Sequence, residues 1–448
     1  MKLKDDSRKI NKGDTFVAID KGHDYIKEAI EKGAKKIINE KEIFDIETVL
    51  VNDSRQYTAD YLKEKYKKNF KKTTLIGVTG TNGKTTTAYL IYQLFNNLKI
   101  KCAYIGTIGF YLNNKFKPLN NTTPDLVDLY TIFEECFKNK VKVIVMEVSS
   151  HALALNRVLG LEFNYAIFSN LTHDHLDFHH DLNSYKNIKK RLFNMLKFEK
   201  KAILNSDSPY YQDFIFKKNN NITYGLNGDY KLVDYKPLID KTIFRIETDN
   251  KTYDITLNIP GKYNIYNYLS AFSLLKEYGI KPNKIIEKTS DLKCPPGRME
   301  LIKKNNYYIF VDYAHTPDAV LNVLTNVNEY KINKVITIVG CGGNRDKLKR
   351  PIMGEIATSN SDYVIFTNDN PRQENEKDIM KDIVYNLDKS NYEIIYNREL
   401  AIQKGIELLG EFDILLILGK GHENYQIIGN EKHDFNDKLV ALKYLDMK

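Results

Sequence analysis

Residues 74–95 read TLIGVTGTNGKTTTAYLIYQLF, and this stretch decides the fold. A short apolar run ends in Gly80-Thr81-Asn82-Gly83-Lys84-Thr85-Thr86. Apolar residues at Leu90, Ile91, Leu94, Phe95 and Leu98 then follow helical spacing. A strand, a glycine-rich turn and a helix in that order turn backbone N–H groups toward an anion, and the helix N-terminus adds positive potential. Lys84 is placed to neutralise β- and γ-phosphate charge, and the Thr85 hydroxyl to ligate Mg²⁺. The strict phosphate-loop spacing puts a glycine at the position of Val78, so the loop is a variant form. Read as a plain turn it carries no chemistry; read as a phosphate loop it binds a nucleotide, in a switch, a kinase, a transport ATPase or a ligase alike.

Working outward, CAYIGT, VKVIVMEV, YAIFSNL and KAILN are further apolar runs separated by helical patterns. That alternation predicts a mostly parallel α/β sheet. Residues 229–259 alternate as β structure, and a helix is expected over 263–278. Cys294-Pro295-Pro296-Gly297 is the clearest break, since two prolines and a glycine cannot continue a helix. Beyond it YYIFVDYA, KVITIVGCGG, YVIFTNDN, YEIIYN and DILLILGKG again predict α/β, with the polar motifs at the C-terminal ends of strands, where open sheets bind ligands. Three domains are expected: a small, shortened N-terminal α/β domain over 1–72, a central ATPase domain over 73–293, and a Rossmann-like domain over 294–448.

The chain has 448 residues, 42% hydrophobic and 28% charged, the balance of a globular protein. The start lacks the apolar core of a secretory signal, and no apolar run reaches the roughly 18 residues that span a membrane. A cytoplasmic enzyme without membrane insertion is expected. Cys102, Cys136, Cys294 and Cys341 make no CxxC pair or zinc spacing, which favours free thiols. The net charge of +9 comes from lysines spread along the chain rather than gathered in a tail. This favours anionic small substrates over nucleic acid.

Two further constellations carry chemistry. Glu147 closes the strand VKVIVMEV and is followed by Ser149, Ser150 and His151, so its carboxylate is a candidate Mg²⁺ ligand beside the phosphate loop. Asn170-Leu171-Thr172-His173-Asp174-His175-Leu176-Asp177-Phe178-His179-His180 nearly spells the H-x-H-x-D-H run of binuclear zinc hydrolases. Phe178 displaces His179 by one residue, and a zinc hydrolase leaves the phosphate loop unexplained. A second metal held by one histidine and carboxylates fits better. Residues 185–193, YKNIKKRLF, form a basic helix whose face reads, by itself, as solvated.

Taken in order, GTNGKTT, MEVSSHAL, NLTHDHLDFH, PGRME, DYAHTPDA, GCGGNRDKLKRP, DNPR and GKGHE resemble the Mur ligases, and among them the members that add a diamino acid. The resemblance covers nearly the whole chain. It implies phosphorylation by ATP of the D-glutamate carboxylate of UDP-MurNAc-L-Ala-D-Glu, attack by the amine of a diamino acid on the acyl phosphate, and a cleft between the last two domains that closes over it. It implies that Gly80 to Thr86 meet the ATP phosphates, that Asn267, Arg298 and Asp312 lie near the nucleotide, and that Thr85, Glu147 and His175 hold Mg²⁺. Lys189 falls where the family carries a carbamylated lysine, with Ile188 in place of the usual alanine. Ser7, Asn121, Thr122, Thr123, Ser149 and Arg157 fall where the muramoyl-dipeptide is held. Arg345, Asp369, Asn370, Pro371, Arg372, Gly419 and Glu423 fall in the diamino-acid pocket. Meso-diaminopimelate is the expected acceptor, ahead of meso-lanthionine and L-lysine, and the enzyme is expected to be a monomer. Two departures stand out: the loop after FVAI is cut to Asp20-Lys21-Gly22-His23-Asp24, where the family contacts uridine, and Leu155 replaces a glutamine found in some relatives. A phosphate-loop switch or motor does not need DNPR or GKGHE; a degenerate, non-catalytic relative is expected to lose Lys84, Glu147 or Lys189, and all three are present.

Overall fold

A computed structural model describes residues 2–172, 176–179 and 181–448. His173, Asp174, His175 and His180 of the histidine run lie outside the described residues. The chain forms two compact units, Met1–Thr223 and Tyr224–Lys448.

The first unit opens with four short parallel strands in sequence order, Leu3–Lys4, Thr15–Val17, Lys36–Asn39 and Glu47–Leu50. They close over a small core of their own that includes Ile10, Phe16, Ala18, Ile26, Ala29 and Ile37. Lys63, Lys65, Lys67 and Lys68, ahead of the phosphate loop, lie in the helix Ser54–Phe70. Asp53 caps that helix by accepting from Gln56 N at 2.8 Å. Ala59 and Leu62 are its contribution to the next core, and its lysines face water. The main sheet of this unit is parallel in the order Leu196–Asn205, Phe163–Phe168, Thr74–Thr79, Val143–Glu147, Cys102–Gly106, and ends in the antiparallel strands Gly109–Leu112 and Lys115–Lys117. Thr74–Thr79 is central and pairs on both sides, with Val78 opposite Glu147 and Thr79 opposite Phe168. Strand ends that carry the phosphate loop, Glu147 and Ser169 therefore meet on one edge.

The second unit begins with an antiparallel ribbon, Tyr230–Pro237, Thr242–Thr248 and Lys251–Leu257, as the alternation over 229–259 predicts. The helix Lys262–Glu277 follows, in agreement with the expected 263–278. A six-stranded sheet comes next, in the order Glu300–Lys304, Tyr307–Asp312, Ile414–Leu418, Val335–Val339, Tyr363–Phe366, Tyr392–Ile394. Only the first pair is antiparallel. Apolar cores cover both faces, which is why these strands read as continuous apolar runs instead of alternating ones.

One buried ion pair joins the first turns of the helices Arg398–Leu408 and Asp437–Met447. Arg398 and Asp437 are both fully buried and make a two-pronged bridge at 2.7 and 2.8 Å. The same guanidinium donates to Leu418 O at 3.0 Å and Asn368 O at 3.3 Å, at the C-terminal ends of the strands Ile414–Leu418 and Tyr363–Phe366. Arg398→Ala is expected to cost about 3–5 kcal/mol, because Asp437 is left buried without its partner. Urea unfolding of the whole chain measures this; a midpoint unchanged from the wild type contradicts it.

Candidate active site

In the phosphate loop, Gly80 sits at φ +146°, and a Cβ there would overlap Ser169 Oγ, so only glycine fits. Neighbouring strand-end residues hold the loop's shape. Asn170 O accepts from Thr81 N at 2.9 Å, Asn170 Oδ1 from Asn82 N at 2.9 Å, and Ser169 Oγ donates to Asn82 O at 2.6 Å. Gly83, at φ +82°, starts the helix Lys84–Asn97. Lys84 Nζ folds back onto the loop and donates to Gly80 O at 3.0 Å and Thr81 O at 2.8 Å. Thr85 and Thr86 are buried in the first turn.

Glu147 is fully buried, and its two oxygens are shared among defined donors. Oε2 accepts from Thr85 Oγ1 at 3.0 Å and Thr107 Oγ1 at 3.1 Å; Oε1 accepts from Tyr104 OH at 2.5 Å and Thr107 N at 2.9 Å. A polar network runs from here to the expected dipeptide residues. Thr122 Oγ1 lies 3.1 Å from Thr107 Oγ1, and Thr123 Oγ1 donates to Glu147 O at 2.9 Å. Ser149 N donates to Thr123 Oγ1 at 3.1 Å, and Arg157 Nη1 to Thr123 O at 3.3 Å. Ser149 Oγ caps the short helix Ser150–Ala154 by accepting from Ala152 N at 3.2 Å. Asn121 is exposed in the preceding loop.

Lys189 corrects the bland reading of the basic helix. In the helix Leu182–Asn194, Tyr185 and Lys189 share the buried face. Lys189 is only 1% exposed. Its Nζ donates to Gly80 O at 2.8 Å and lies 4.3 Å from the centre of the Tyr185 ring. The Tyr185 hydroxyl lies 3.4 Å from Thr81 Oγ1.

Ser7, at the N-terminus, is buried and donates to Glu28 Oε2 at 2.9 Å. The shortened loop forms the 3-10 turn Asp20–Tyr25, and Arg55 bridges Asp20 and Asp125 at 2.7 Å each. Leu155 is 43% exposed.

In the second unit the polar motifs gather at the C-terminal edge of the sheet. Asp312 ends its strand and accepts from Met299 N at 2.7 Å and Ala314 N at 2.8 Å. Burial pushes its carboxyl above the usual carboxylate range, against the pull of the Arg298 guanidinium. Arg298 stacks over Tyr313, 4.9 Å from the ring centre. His422 packs on the same ring at 5.3 Å; burial, then Arg298, pushes it down to about 4, so it is neutral at pH 7. Asn267 sits on the helix Lys262–Glu277 and donates to Asn264 Oδ1 at 3.0 Å.

The segments around Gly343, Asn370–Arg372 and Ile427 lock together. Gly343 N donates to Asn370 O at 2.9 Å, and Arg372 N to Ile427 O at 3.0 Å. Arg372 adopts φ +53° past Pro371, and its Nη1 donates to Gly343 O at 3.0 Å. No ion pair engages Arg372 or the exposed Arg345 among the described residues. Asp369 is buried beside Gly419, whose φ of +113° admits a close approach: a Cβ there would lie 2.7 Å from Asp369 Oδ2. Asn370 Nδ2 donates to Glu423 Oε2 at 3.1 Å, and the fully buried Lys420 reaches both, at 3.1 Å to Asn370 Oδ1 and 3.0 Å to Glu423 Oε2.

The structure thus brings the phosphate loop, Glu147, Lys189, Thr122, Thr123, Ser149 and Arg157 together in one unit. It brings Asp369, Asn370, Pro371, Arg372, Gly419 and Glu423 together in the other. Sequence reasoning missed Tyr104, Thr107 and Lys420. Lys420 was visible as the charged centre of GKGHE; Tyr104 sits in an apolar strand and gave no signal.

A glycine-rich phosphate loop on the central strand of a parallel sheet, with a carboxylate on its threonine, defines a phosphate-loop nucleotide-binding protein. The chain matches the Mur ligase middle domain over residues 78–275 and the Mur ligase glutamate ligase domain over 297–421. It is 40% identical over 455 residues to the UDP-N-acetylmuramoyl-L-alanyl-D-glutamate--2,6-diaminopimelate ligase of Clostridium botulinum, covering 98% of this chain and 94% of that one. The ligase of the same name from Bacillus cereus is 39% identical, covering 97% and 92%. A solved structure of a UDP-N-acetylmuramoyl-L-alanyl-D-glutamate--2,6-diaminopimelate ligase superposes with a TM-score of 0.75 at 31% identity, covering 100% of this chain and 94% of the other. The MurF ligase from Thermotoga maritima in complex with ADP, 19% identical with a TM-score of 0.69, shares the fold. The chain belongs to the Mur ligase family and is an ATP-dependent, amide-bond-forming ligase.

Proposed function

We infer that this enzyme joins meso-diaminopimelate to UDP-MurNAc-L-Ala-D-Glu in peptidoglycan precursor synthesis, with an acyl phosphate on the D-glutamate carboxylate as intermediate. The relatives named above act, by their names, on 2,6-diaminopimelate. The observation that carries the acceptor is Arg372. Its backbone is pinned to Ile427 and its Nη1 to Gly343, so the guanidinium is fixed in place before any ligand arrives. A planar fork held in that way grips a carboxylate. Diaminopimelate ends in a carboxylate and an amine, whereas L-lysine ends in an amine alone. Meso-lanthionine shares both ends and is the second choice.

The three-domain division at residues 72 and 293 remains our reading of the architecture. It is supported by the separate small core of the N-terminal segment. Within it, Lys84 and the N–H groups from Gly80 to Thr86 hold the triphosphate. Thr122, Thr123, Ser149, Arg157, Asn121 and Ser7 hold the muramoyl-dipeptide, and Asn267, Arg298 and Asp312 hold the nucleoside.

Magnesium fits the residues present: Thr85 Oγ1 and Glu147 Oε2, 3.0 Å apart, are hard oxygen donors beside the loop. His175 and a carbamylated Lys189 complete our metal assignment. When bound, magnesium neutralises phosphate charge. The residues themselves bind and orient: Tyr104 and Thr107 aim the Glu147 carboxylate, and Ser169 and Asn170 hold the loop open for phosphate.

Phosphate release with UDP-MurNAc-dipeptide and a panel of diaminopimelate, lanthionine, lysine and ornithine tests the assignment. Equal use of L-lysine and the diacids overturns it. Arg372→Ala is expected to lower kcat/KM for the acceptor about 10- to 100-fold, mostly through KM, as loss of a charged hydrogen-bonding partner does. KM for ATP should hardly move.

A further inference from the structure

Lys420 is a fully buried lysine next to the residues assigned above to the acceptor. The turn that follows the strand Ile414–Leu418 directs it there: Gly419 and Gly421, at φ +113° and +53°, flank it and swing its side chain inward. Its Nζ donates to Glu423 Oε2 at 3.0 Å and to Asn370 Oδ1 at 3.1 Å. Asn370 closes the triangle by donating to the same Glu423 oxygen at 3.1 Å and accepts Ile427 N at 2.9 Å through its carbonyl oxygen. The other face of Lys420 looks onto the Tyr425 ring, 5.5 Å away.

The charges around this triangle can be counted. Glu423 and Asp369 are negative; Lys420 and Arg372 are positive. Arg398, the next cation, is already matched by Asp437. Lys420 therefore cancels Glu423, and the pocket has no surplus of negative charge. A zwitterionic side-chain end is neutral overall and sets its carboxylate on Arg372. A lone ammonium adds a second positive charge beside Arg372, with no surplus acid to balance it or to offset the water it leaves behind.

We propose that Lys420 is a specificity-determining residue that makes the pocket favour a diacid over a monocarboxylic diamine, by neutralising Glu423 across the Asn370 triangle. The proposal rests on the acceptor assignment above. It adds that discrimination comes from a residue that need not touch the acceptor at all.

The test compares kcat/KM for meso-diaminopimelate and L-lysine in the full-length enzyme. Lys420→Met unmasks Glu423, and the ratio of the two values should fall at least about tenfold, the effect of roughly one screened charge contact. Lys420→Met with Glu423→Gln removes the unmasked charge as well, and the ratio should move back toward the wild-type value. Lys420→Gln keeps a donor for Asn370 without the charge; it should shift the ratio as Lys420→Met does, and it replaces that variant if methionine prevents folding. A purely structural lysine predicts equal losses for both acceptors and an unchanged ratio, which overturns the proposal. Failure of the acceptor assignment is seen separately, as a wild-type enzyme that does not prefer the diacid.

Discussion

Lys84→Ala is expected to reduce ligation by about 10³-fold or more, because transition-state charge on a transferring phosphoryl group loses its nearest cation. In the structure Lys84 stands at the N-terminus of the helix Lys84–Asn97 and turns back over the loop, donating to Gly80 O and Thr81 O. Those two bonds keep the ammonium at the loop. Alanine keeps the helix, since it has the best helix propensity, and leaves Ser169 and Asn170 bracing the loop. The fold should therefore survive. Phosphate release measures the loss and thermal unfolding checks the fold; a folded variant within about tenfold of wild-type turnover contradicts a phosphate-binding role.

Lys189→Ala is expected to be nearly as damaging. A lysine that is 1% exposed and set against Gly80 O and a tyrosine ring is an unusual thing to bury unless its nitrogen is used. The ammonium first gives up a proton; the freed amine adds to CO₂, forming an N–C bond as one C=O π bond opens, and a second proton leaves the nitrogen, so the cation becomes an anionic carbamate with two protons released to solvent. The remaining Nζ–H can keep its bond to Gly80 O. An anion at the phosphate loop suits a second magnesium, whereas an ammonium there opposes it. We expect kcat for Lys189→Ala to fall about 10²- to 10⁴-fold, with partial recovery on adding a short carboxylate such as acetate or formate. Isotope-labelled CO₂ followed by NMR should show a carbamate carbon in the wild type and none in the variant. A wild-type enzyme that is fully active without any carbamate signal sinks the idea.

Much of this site was legible in the sequence, for a physical reason. The phosphate loop is seven consecutive residues whose glycines and threonines impose their own geometry, so Gly80 to Thr86 announce it without help from the fold. DNPR and GKGHE are likewise local: each follows an apolar strand, and strand ends in a parallel sheet point to one edge. The extent of the site was not legible in the same way. Tyr104 and Thr107 meet Glu147 from 43 and 40 residues away, and Lys189 meets Gly80 from 109 residues away. Nothing local marks Lys189 off from Lys186, which pairs with Asp213 at 3.0 Å on the same basic helix. A helix turns its residues through all directions, and only packing against the sheet decides which lysine is buried and which is solvated. The same holds for Lys420, whose partners come from two loops 50 residues apart. Taken alone, the sequence determined that a phosphate loop follows the strand Thr74–Thr79 and that DNPR and GKGHE stand at strand ends, because those signals are short-range. Only the tertiary structure decided which charges face one another, because burial and pairing are set by long-range contacts that no local pattern records.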